Sequence, residues 1–344
     1  MKIFIKFATI LTVKVMKIKD LCFEIIQKCP NNCLFCSSES NFDKCNIVDF
    51  RTFKKTINHF ISLGGIEEIS FSGGEPMLHP NIYDMIDFCS KLGIKTTLYT
   101  SGIMTRTELT QSDNQYIQRI LSQLGNFRDI SIDEFKRLEN CGLSKVVFDL
   151  QASEVDTYNE LMGTKNNMPL LLKTILHASY YSFDKSIHFI PNKINVNQIK
   201  DVLELTELAG ISELRVLKFV PQGRGKLNRK DLQLSNDELL AFVKYAEQLT
   251  SDTTTIKIGI PLLSENQHIC TAGYDKVVIR YDGQILPCPA FKDIDLKALE
   301  QKGFKSVNIF KNLEDYTTTD SSHKTPLCEQ FNRHEERQIK HSNK

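Results

Sequence analysis

Short apolar runs alternate with amphipathic stretches over the first two thirds of the chain. The apolar runs are bounded by glycine and polar residues, as buried strands of a parallel sheet commonly are. We therefore predict six strands there, covering residues 21–26, 67–72, 95–100, 145–150, 186–190 and 213–220.

Three of the intervening stretches have helical periodicity, and each ends in glycine: residues 49–65, 81–93 and 197–210. In the first, one helical face carries Phe50, Phe53, Ile57, Phe60 and Ile61. Strands that alternate with helices predict an α/β fold with a parallel sheet and right-handed crossovers. Six units are fewer than the eight of a closed barrel, so we expect an open, partial (β/α)6 TIM-like barrel.

The pattern changes after residue 220. A polar linker containing Gly223 and Gly225 leads to a predicted helix near 236–250. Residues 275–288 then alternate around Asp282–Gly283, which predicts a β-hairpin. An added polar helix is also predicted within the first part, at 105–124. The expected organisation is an extension (1–15), a core (16–220), a linker with a helix (221–258) and a smaller domain (259–344).

Composition and charge narrow the function classes. With 41% hydrophobic and 25% charged residues, the chain is an ordinary globular one, and its net charge of +1 gives no case for general nucleic-acid binding. It lacks an apolar run of the roughly 20 residues that cross a bilayer. The first fifteen residues are interrupted by Lys6 and Lys14 and lack a signal-cleavage site, so we expect a cytoplasmic protein with reduced or metal-bound cysteines.

Three cysteines follow the first predicted strand within eight residues: Cys29, Cys33 and Cys36. In a parallel barrel, the loop after a strand lies on the face where ligand chemistry is built. Structural zinc sites need four ligands and usually have two CxxC pairs, whereas a [4Fe–4S] cluster is also held by thiolates. An odd count therefore favours a cluster with one open iron, and a distorted zinc knuckle is the alternative.

A second motif, "SGGEP" (residues 72–76), directly follows the second predicted strand. Its paired glycines let the backbone approach a ligand closely. Glu75 is expected on the same face as the three cysteines. Together with the cysteine loop, the motif predicts a ligand clamp.

These motifs resemble those of the radical S-adenosylmethionine (radical SAM) enzymes. "CPNNCLFC" is similar to the CxxxCxxC motif of that family, and "GGEP" to its clamp for the methionine amino group. "TSG" (100–102) resembles the next ligand-contact segment, and residues 149–163 resemble the stretch that contacts the ribose. The resemblance covers about residues 20–220.

The resemblance implies a [4Fe–4S] cluster bound with exchangeable SAM. Cys29, Cys33 and Cys36 would hold three irons, and the amino and carboxylate groups of SAM would chelate the fourth. Reduction would cleave the sulfonium and yield a 5′-deoxyadenosyl radical that abstracts hydrogen from a substrate. The implied cofactor-binding residues are Gly73, Gly74, Glu75, Pro76, Ser101, Gln151 and Asn192. An electron donor such as flavodoxin or ferredoxin is implied as a partner.

Two of these implied contacts are less direct. Gln151 stands where many family members carry Asp. Asn192 follows the fifth strand and Arg224 follows the sixth, and each is a candidate ligand contact. The alternatives are an asparagine that only forms a turn and an arginine on the surface.

The C-terminal cysteines resemble the opening half of SPASM and twitch extensions, which hold auxiliary [4Fe–4S] clusters. Cys270 and Cys288 flank Gly283 with the spacing C-x12-G-x4-C, and Cys328 is the third ligand. Since "CEQF" ends the pattern without a fourth thiolate, the auxiliary cluster would have an open iron or a ligand such as Glu329 or His334. Free structural cysteines are the alternative.

The remaining cysteines are not assigned to a metal site. Cys22, Cys89 and Cys141 are predicted in the core, and Cys45 is considered only as a possible thiol near the substrate.

Two enzymatic functions compete. SPASM and twitch domains are often attached to enzymes that modify peptides or proteins, which makes such a substrate our first expectation. Radical rearrangement or oxidation of a small molecule, such as a nucleotide or sugar, is the alternative. A non-catalytic zinc-binding protein is a remote third, since "GGEP" has no role there.

Overall fold

The strands of the barrel lie where the sequence predicts them. The computed structural model describes residues 17–106, 125–259 and 271–317. Its strands are β1 (Ile18–Ile26), β2 (Ile66–Gly73), β3 (Lys95–Thr100), β4 (Ile103–Thr105), β5 (Phe127–Asp129), β6 (Lys145–Asp149), β7 (Asp184–Phe189), β8 (Glu213–Leu217), β9 (Thr255–Gly259), β10 (Lys276–Ile279) and β11 (Ile285–Leu286). All six predicted strands are confirmed, as β1, β2, β3, β6, β7 and β8.

The helices follow the strands as expected for an α/β fold. They are α1 (Phe50–Ser62), α2 (Ile82–Lys91), α3 (Ile132–Asn140), α4 (Val155–Met162), α5 (Met168–Ala178), α6 (Ile199–Leu208), α7 (Arg224–Leu227), α8 (Arg229–Leu232), α9 (Asn236–Ala246) and α10 (Leu296–Gln301). Among the described residues, no helix is long and apolar enough to cross a membrane.

One large sheet organises the molecule, in the order β11-β10-β1-β2-β3-β6-β7-β8-β9. Every neighbouring pair is parallel except β10 and β11. The predicted parallel α/β architecture with an open barrel is therefore confirmed. β9 is a further parallel strand that the sequence pattern did not predict.

The predicted hairpin around Asp282–Gly283 is formed by antiparallel β10 and β11. Gly283 has φ +83°, the left-handed conformation that favours glycine. β10 also pairs in parallel with β1, in the register Asp20 to Lys276 through Phe23 to Ile279. The described part of the C-terminal segment thus extends the barrel sheet beyond β1.

Helix α1 shows how the sequence pattern becomes core packing. The helix begins after Asp49, whose carboxylate accepts a hydrogen bond from the Thr52 N–H. Phe53, Ile57 and Phe60 are fully buried, as predicted. Ile61 is 37% exposed, because it lies one position further around the helix than Phe60.

Several predictions fall outside the described residues. They are the extension at 1–15, the added helix from 107 onward, Cys270, Cys328, Glu329 and His334.

Candidate active site

A cavity of about 500 Å³ lies where the parallel strands end. Its wall includes Cys29, Cys33 and Cys36 from the loop after β1. Gly73 and Gly74 after β2 and Ser101 after β3 line it as well. The structure therefore brings three separately predicted motifs to one place.

The three thiols have the chemistry of a cluster site. Cys29 is 7% exposed, and burial raises the pKa of the Cys29 and Cys33 thiols well above the ordinary value. The next causes are the Glu75 charge for Cys29 and the Cys29 thiol for Cys33. Metal binding must therefore displace protons from these thiols, as thiolate ligation requires.

The donor set fits a multi-iron cluster, because three thiols lie on one cavity wall. Thiolates that bind different irons of one cluster need not converge on a single point. Three thiols on one cavity wall therefore suit a [4Fe–4S] cluster whose fourth iron takes another ligand.

The cysteine loop is held by side chains that follow β8. The Arg224 guanidinium donates from Nε to the Cys33 carbonyl (2.9 Å) and from Nη2 to the Ser40 carbonyl (2.5 Å). The Asn228 amide donates to the Leu34 carbonyl at 2.9 Å. Arg224 is half-buried and holds the loop backbone, so the alternative of a surface arginine is wrong.

Backbone contacts hold the same loop from helix α4. The Asn32 N–H donates to the Met162 carbonyl (2.9 Å), and the Leu34 N–H donates to the Leu161 carbonyl (2.8 Å). Loops usually vary in position unless their backbone groups are paired. This one is fixed by the segments that follow two other strands of the sheet.

The glycine pair lies against the end of β1. A Cβ atom at Gly73 would be 2.2 Å from the Ile26 carbonyl oxygen, and one at Gly74 would be 2.1 Å from that of Lys28. The Gly74 and Glu75 N–H groups donate to these same oxygens, at 2.6 and 2.8 Å. The motif thus needs glycine so that its backbone can bind the start of the cysteine loop.

Glu75 is fully buried, and its side chain does not line the cavity. Its Oε1 accepts from the Met77 N–H (3.1 Å) and the Thr100 hydroxyl (2.8 Å). Its Oε2 accepts from the N–H (2.7 Å) and hydroxyl (2.5 Å) of Ser101. Burial raises the pKa of Glu75, and the hydrogen bonds oppose that shift. Pro76, also buried, begins the single 3₁₀ turn that follows.

Gln151 and Asn192 are also fully buried, and neither lines the cavity. The Gln151 amide donates to Asp149 and to the His188 carbonyl (3.1 Å). The Asn192 amide donates to the Ile190 carbonyl at 3.0 Å. Both side chains therefore bind backbone carbonyls near the ends of neighbouring strands. Their contact with a ligand stays a prediction.

Asp149 and His188 do line the cavity. The sequence analysis included Asp149 only within the stretch 149–163 and did not single out either residue. Burial raises the pKa of Asp149 to about 6, opposed by the hydrogen bond from Gln151. Burial, followed by the charges of Arg215 and Lys145, lowers the pKa of His188 to about 3, so its imidazole is neutral at pH 7. Asp149 is the last residue of β6 and His188 is the last but one of β7. These positions at the strand ends could have marked both residues as candidate site residues.

Strand β1 also carries residues that line the cavity and that the sequence analysis did not propose for the site. Asp20, Cys22 and Glu24 alternate with apolar residues, and all three line the cavity. Cys22, which we expected in the core, is partly buried and packs against the core, and it also lines the cavity. Burial raises the pKa of the Cys22 thiol to about 12.

The other leftover cysteines lie outside this cavity. Cys89 is fully buried in the core, Cys141 is half-buried and Cys45 is exposed. Of the predicted auxiliary ligands, Cys288 is described, and it lines the cavity.

The comparison with protein families decides the affiliation. The Radical SAM superfamily profile matches residues 23–206, more than half of the chain. The chain belongs to the radical SAM superfamily. The matched region contains both motifs, Ser101, Gln151 and Asn192, whereas Cys270, Cys288 and Cys328 lie beyond it.

Curated relatives match over a longer stretch. The PqqA peptide cyclases of Methylorubrum extorquens (strain PA1) and Methylobacterium sp. (strain 4-46) are each 21% identical over 278 residues. Each match covers 79% of this chain and 66% of the relative. The chain thus spans just under two thirds of the length of these relatives.

Solved structures show the same fold. Streptococcus suis SuiB bound to S-adenosylmethionine has a TM-score of 0.63 at 18% identity, over 90% of this chain and 67% of SuiB. The protein anSMEcpe with bound AdoMet and Cp18Cys peptide has a TM-score of 0.57 at 13% identity, over 86% of this chain and 80% of its own.

Proposed function

We propose that the protein is a radical SAM enzyme that modifies a peptide or protein. The observation that carries this proposal is the convergence of the three thiols, the glycine pair and Ser101 on one cavity. The wall beyond them is mixed, with polar side chains such as Asp149 and apolar ones such as Phe219.

The residues take distinct roles at this site. Cys29, Cys33 and Cys36 would hold the [4Fe–4S] cluster, and the backbone of Gly73 and Gly74 would face the methionine part of SAM. When bound, the cluster and SAM supply a carbon-centred radical that abstracts hydrogen.

Other residues would orient this set. Glu75 would position Ser101, whose hydroxyl and N–H it binds. Gln151 would orient the Asp149 carboxylate on the ribose side, and Asn192 would shape the turn after β7.

Peptide chemistry is supported by the relatives. PqqA peptide cyclases align with most of this chain, and SuiB and anSMEcpe, which share its fold, have structures with a bound precursor peptide and a bound peptide. A cavity that holds SAM at one end and is walled by the C-terminal segment could admit a peptide side chain.

We further propose an auxiliary [4Fe–4S] cluster in a twitch-like C-terminal domain, held by Cys270, Cys288 and Cys328. The exposure of Cys288 to the cavity supports this assignment. Flavodoxin or ferredoxin would supply electrons, and the cytoplasm is the proposed location.

The substrate class can be tested by hydrogen transfer. The reconstituted enzyme would be incubated with SAM, titanium(III) citrate and, in parallel reactions, deuterated synthetic peptides, nucleotides or sugars. We expect a peptide to accelerate 5′-deoxyadenosine formation and to transfer deuterium into it. Acceleration by nucleotides or sugars, with none by these peptides, would contradict the peptide assignment.

A further inference from the structure

A buried ion pair joins Glu24 of β1 to Lys292 of the C-terminal segment. Glu24 is 2% exposed and Lys292 is 9% exposed. The Lys292 ammonium binds the Glu24 carboxylate and donates to the hydroxyls of Ser37 (2.9 Å) and Ser38 (2.8 Å). Ser38 in turn donates to Glu24 Oε1 at 2.7 Å. All three ammonium protons therefore have acceptors within the protein.

This network lies beside the cysteine loop. Ser37 and Ser38 directly follow Cys36, and all four residues of the network line the cavity. Arg224 holds the loop by its carbonyls, whereas Lys292 contacts its side chains. The buried pair thus connects β1, the cysteine loop and the segment that contains Cys288.

Stability alone is a weak reason for such a pair. Removing two charges from water costs free energy that their attraction often only balances, and apolar replacements are frequently as stable. Glu24 Oε2 also lacks a hydrogen-bond partner in the described structure. The buried position of this charged pair therefore points to a role that depends on charge.

We propose that Lys292 and Glu24 are positioning residues that set the reduction potential of the cluster held by Cys29, Cys33 and Cys36, an inference that rests on the proposed function. One-electron reduction by an external donor adds one negative charge to the cluster. A nearby ammonium favours the reduced state, and a nearby carboxylate disfavours it. The two side chains act in opposite directions, and their hydrogen bonds to Ser37 and Ser38 fix the distance of both from the loop.

The test is a redox titration of the reconstituted enzyme with titanium(III) citrate, followed by electron paramagnetic resonance. The signal that changes when SAM is added identifies the cluster held by Cys29, Cys33 and Cys36, so that the proposed auxiliary cluster is not counted. Lys292→Met should lower the ratio of reduced to oxidised cluster at least threefold at a fixed ambient potential, and Glu24→Gln should raise it. The double variant should lie between the two. Lys297→Met is the matched control, since Lys297 is exposed and only five residues away, and it should leave the ratio unchanged.

Opposite changes of the ratio of reduced to oxidised cluster in Lys292→Met and Glu24→Gln identify an electrostatic effect. If this ratio changes in the same direction in both single variants, or changes in neither, the inference is overturned, and the network only contributes to packing. Thermal unfolding of the metal-free variants shows whether they fold, and Glu24→Gln carries the test if Lys292→Met does not. A wild-type enzyme without any cluster would instead contradict the proposed function itself.

Discussion

Glu75 binds Ser101 twice, through the backbone N–H at 2.7 Å and the hydroxyl at 2.5 Å. The carboxylate lies beneath the cavity, whereas Ser101 lies in its wall. The acid of the "GGEP" motif therefore binds the segment that follows a neighbouring strand, and we predict that it acts on a ligand through Ser101.

Glu75→Gln should weaken SAM binding about tenfold, because the amide replaces one carboxylate oxygen with a donor that faces other donors. Iron content should stay unchanged, since the Glu75 carboxylate bonds Met77, Thr100 and Ser101, and the backbone hydrogen bond from Glu75 to Lys28 is kept in the variant. Anaerobic calorimetry measures the affinity. Glu67→Gln, an exposed residue of β2, is the control, and an unchanged affinity for Glu75→Gln would refute the positioning role.

Gly74→Ala should disrupt the cysteine loop, because the added Cβ would lie 2.1 Å from the Lys28 carbonyl oxygen. We expect iron content to fall at least fivefold after reconstitution, together with a loss of about 1–3 kcal/mol of stability from overpacking. Gly259→Ala, whose Cβ would have its nearest neighbour at 3.2 Å, is the milder comparison. Normal iron content in Gly74→Ala would show that the close approach is dispensable.

Arg224→Met should loosen the loop by removing hydrogen bonds to the Cys33 and Ser40 carbonyls. The Ser40 carbonyl left without this donor costs about 1–3 kcal/mol, and the Cys33 carbonyl keeps only the Cys36 N–H, so we expect faster cluster loss on exposure to a chelator. The rate of bleaching near 400 nm measures this. Lys230→Met, an exposed neighbour, should behave like the wild type, and equal rates for both variants would argue against the assigned role.

Asp149→Asn should stabilise the metal-free protein at pH 7 by about 3 kcal/mol relative to the wild type. Burial raises the folded-state pKa of Asp149 to about 6, whereas the unfolded value is about 3.9. Between these values the folded state holds the proton more tightly, so wild-type stability falls as pH rises, and the cost persists above pH 6.

Urea unfolding at several pH values measures this difference. The advantage of the Asn variant should be small at pH 4.5 and complete at pH 7. If the stability advantage of the Asn variant is the same at pH 4.5 and at pH 7, the Asp149 carboxyl does not titrate between these pH values.

The sequence predicted what depends on local patterns. The strands were found because apolar runs end at glycine or polar residues, and the hairpin because Asp282–Gly283 favours a tight turn. The cysteine and glycine motifs converge because both follow neighbouring parallel strands.

Contacts between distant parts of the chain were not predictable in this way. The pairing of β10 with β1 and the ion pair of Glu24 with Lys292 join segments more than 200 residues apart. The hydrogen bonds of the Gln151 and Asn192 amides to the His188 and Ile190 carbonyls could not be read from the sequence either, and the contact of these two residues with a ligand stays a prediction. Periodicity does not show which hydrogen bonds a polar side chain makes.

The most direct test of the central claim is 5′-deoxyadenosine formation from SAM under titanium(III) citrate, in the anaerobically reconstituted enzyme and in a Cys29/Cys33/Cys36 triple-Ala variant. We expect the wild type to form 5′-deoxyadenosine, and the variant to form none while keeping its fold. Equal yields from both would contradict the assignment of these thiols to the cluster that cleaves SAM.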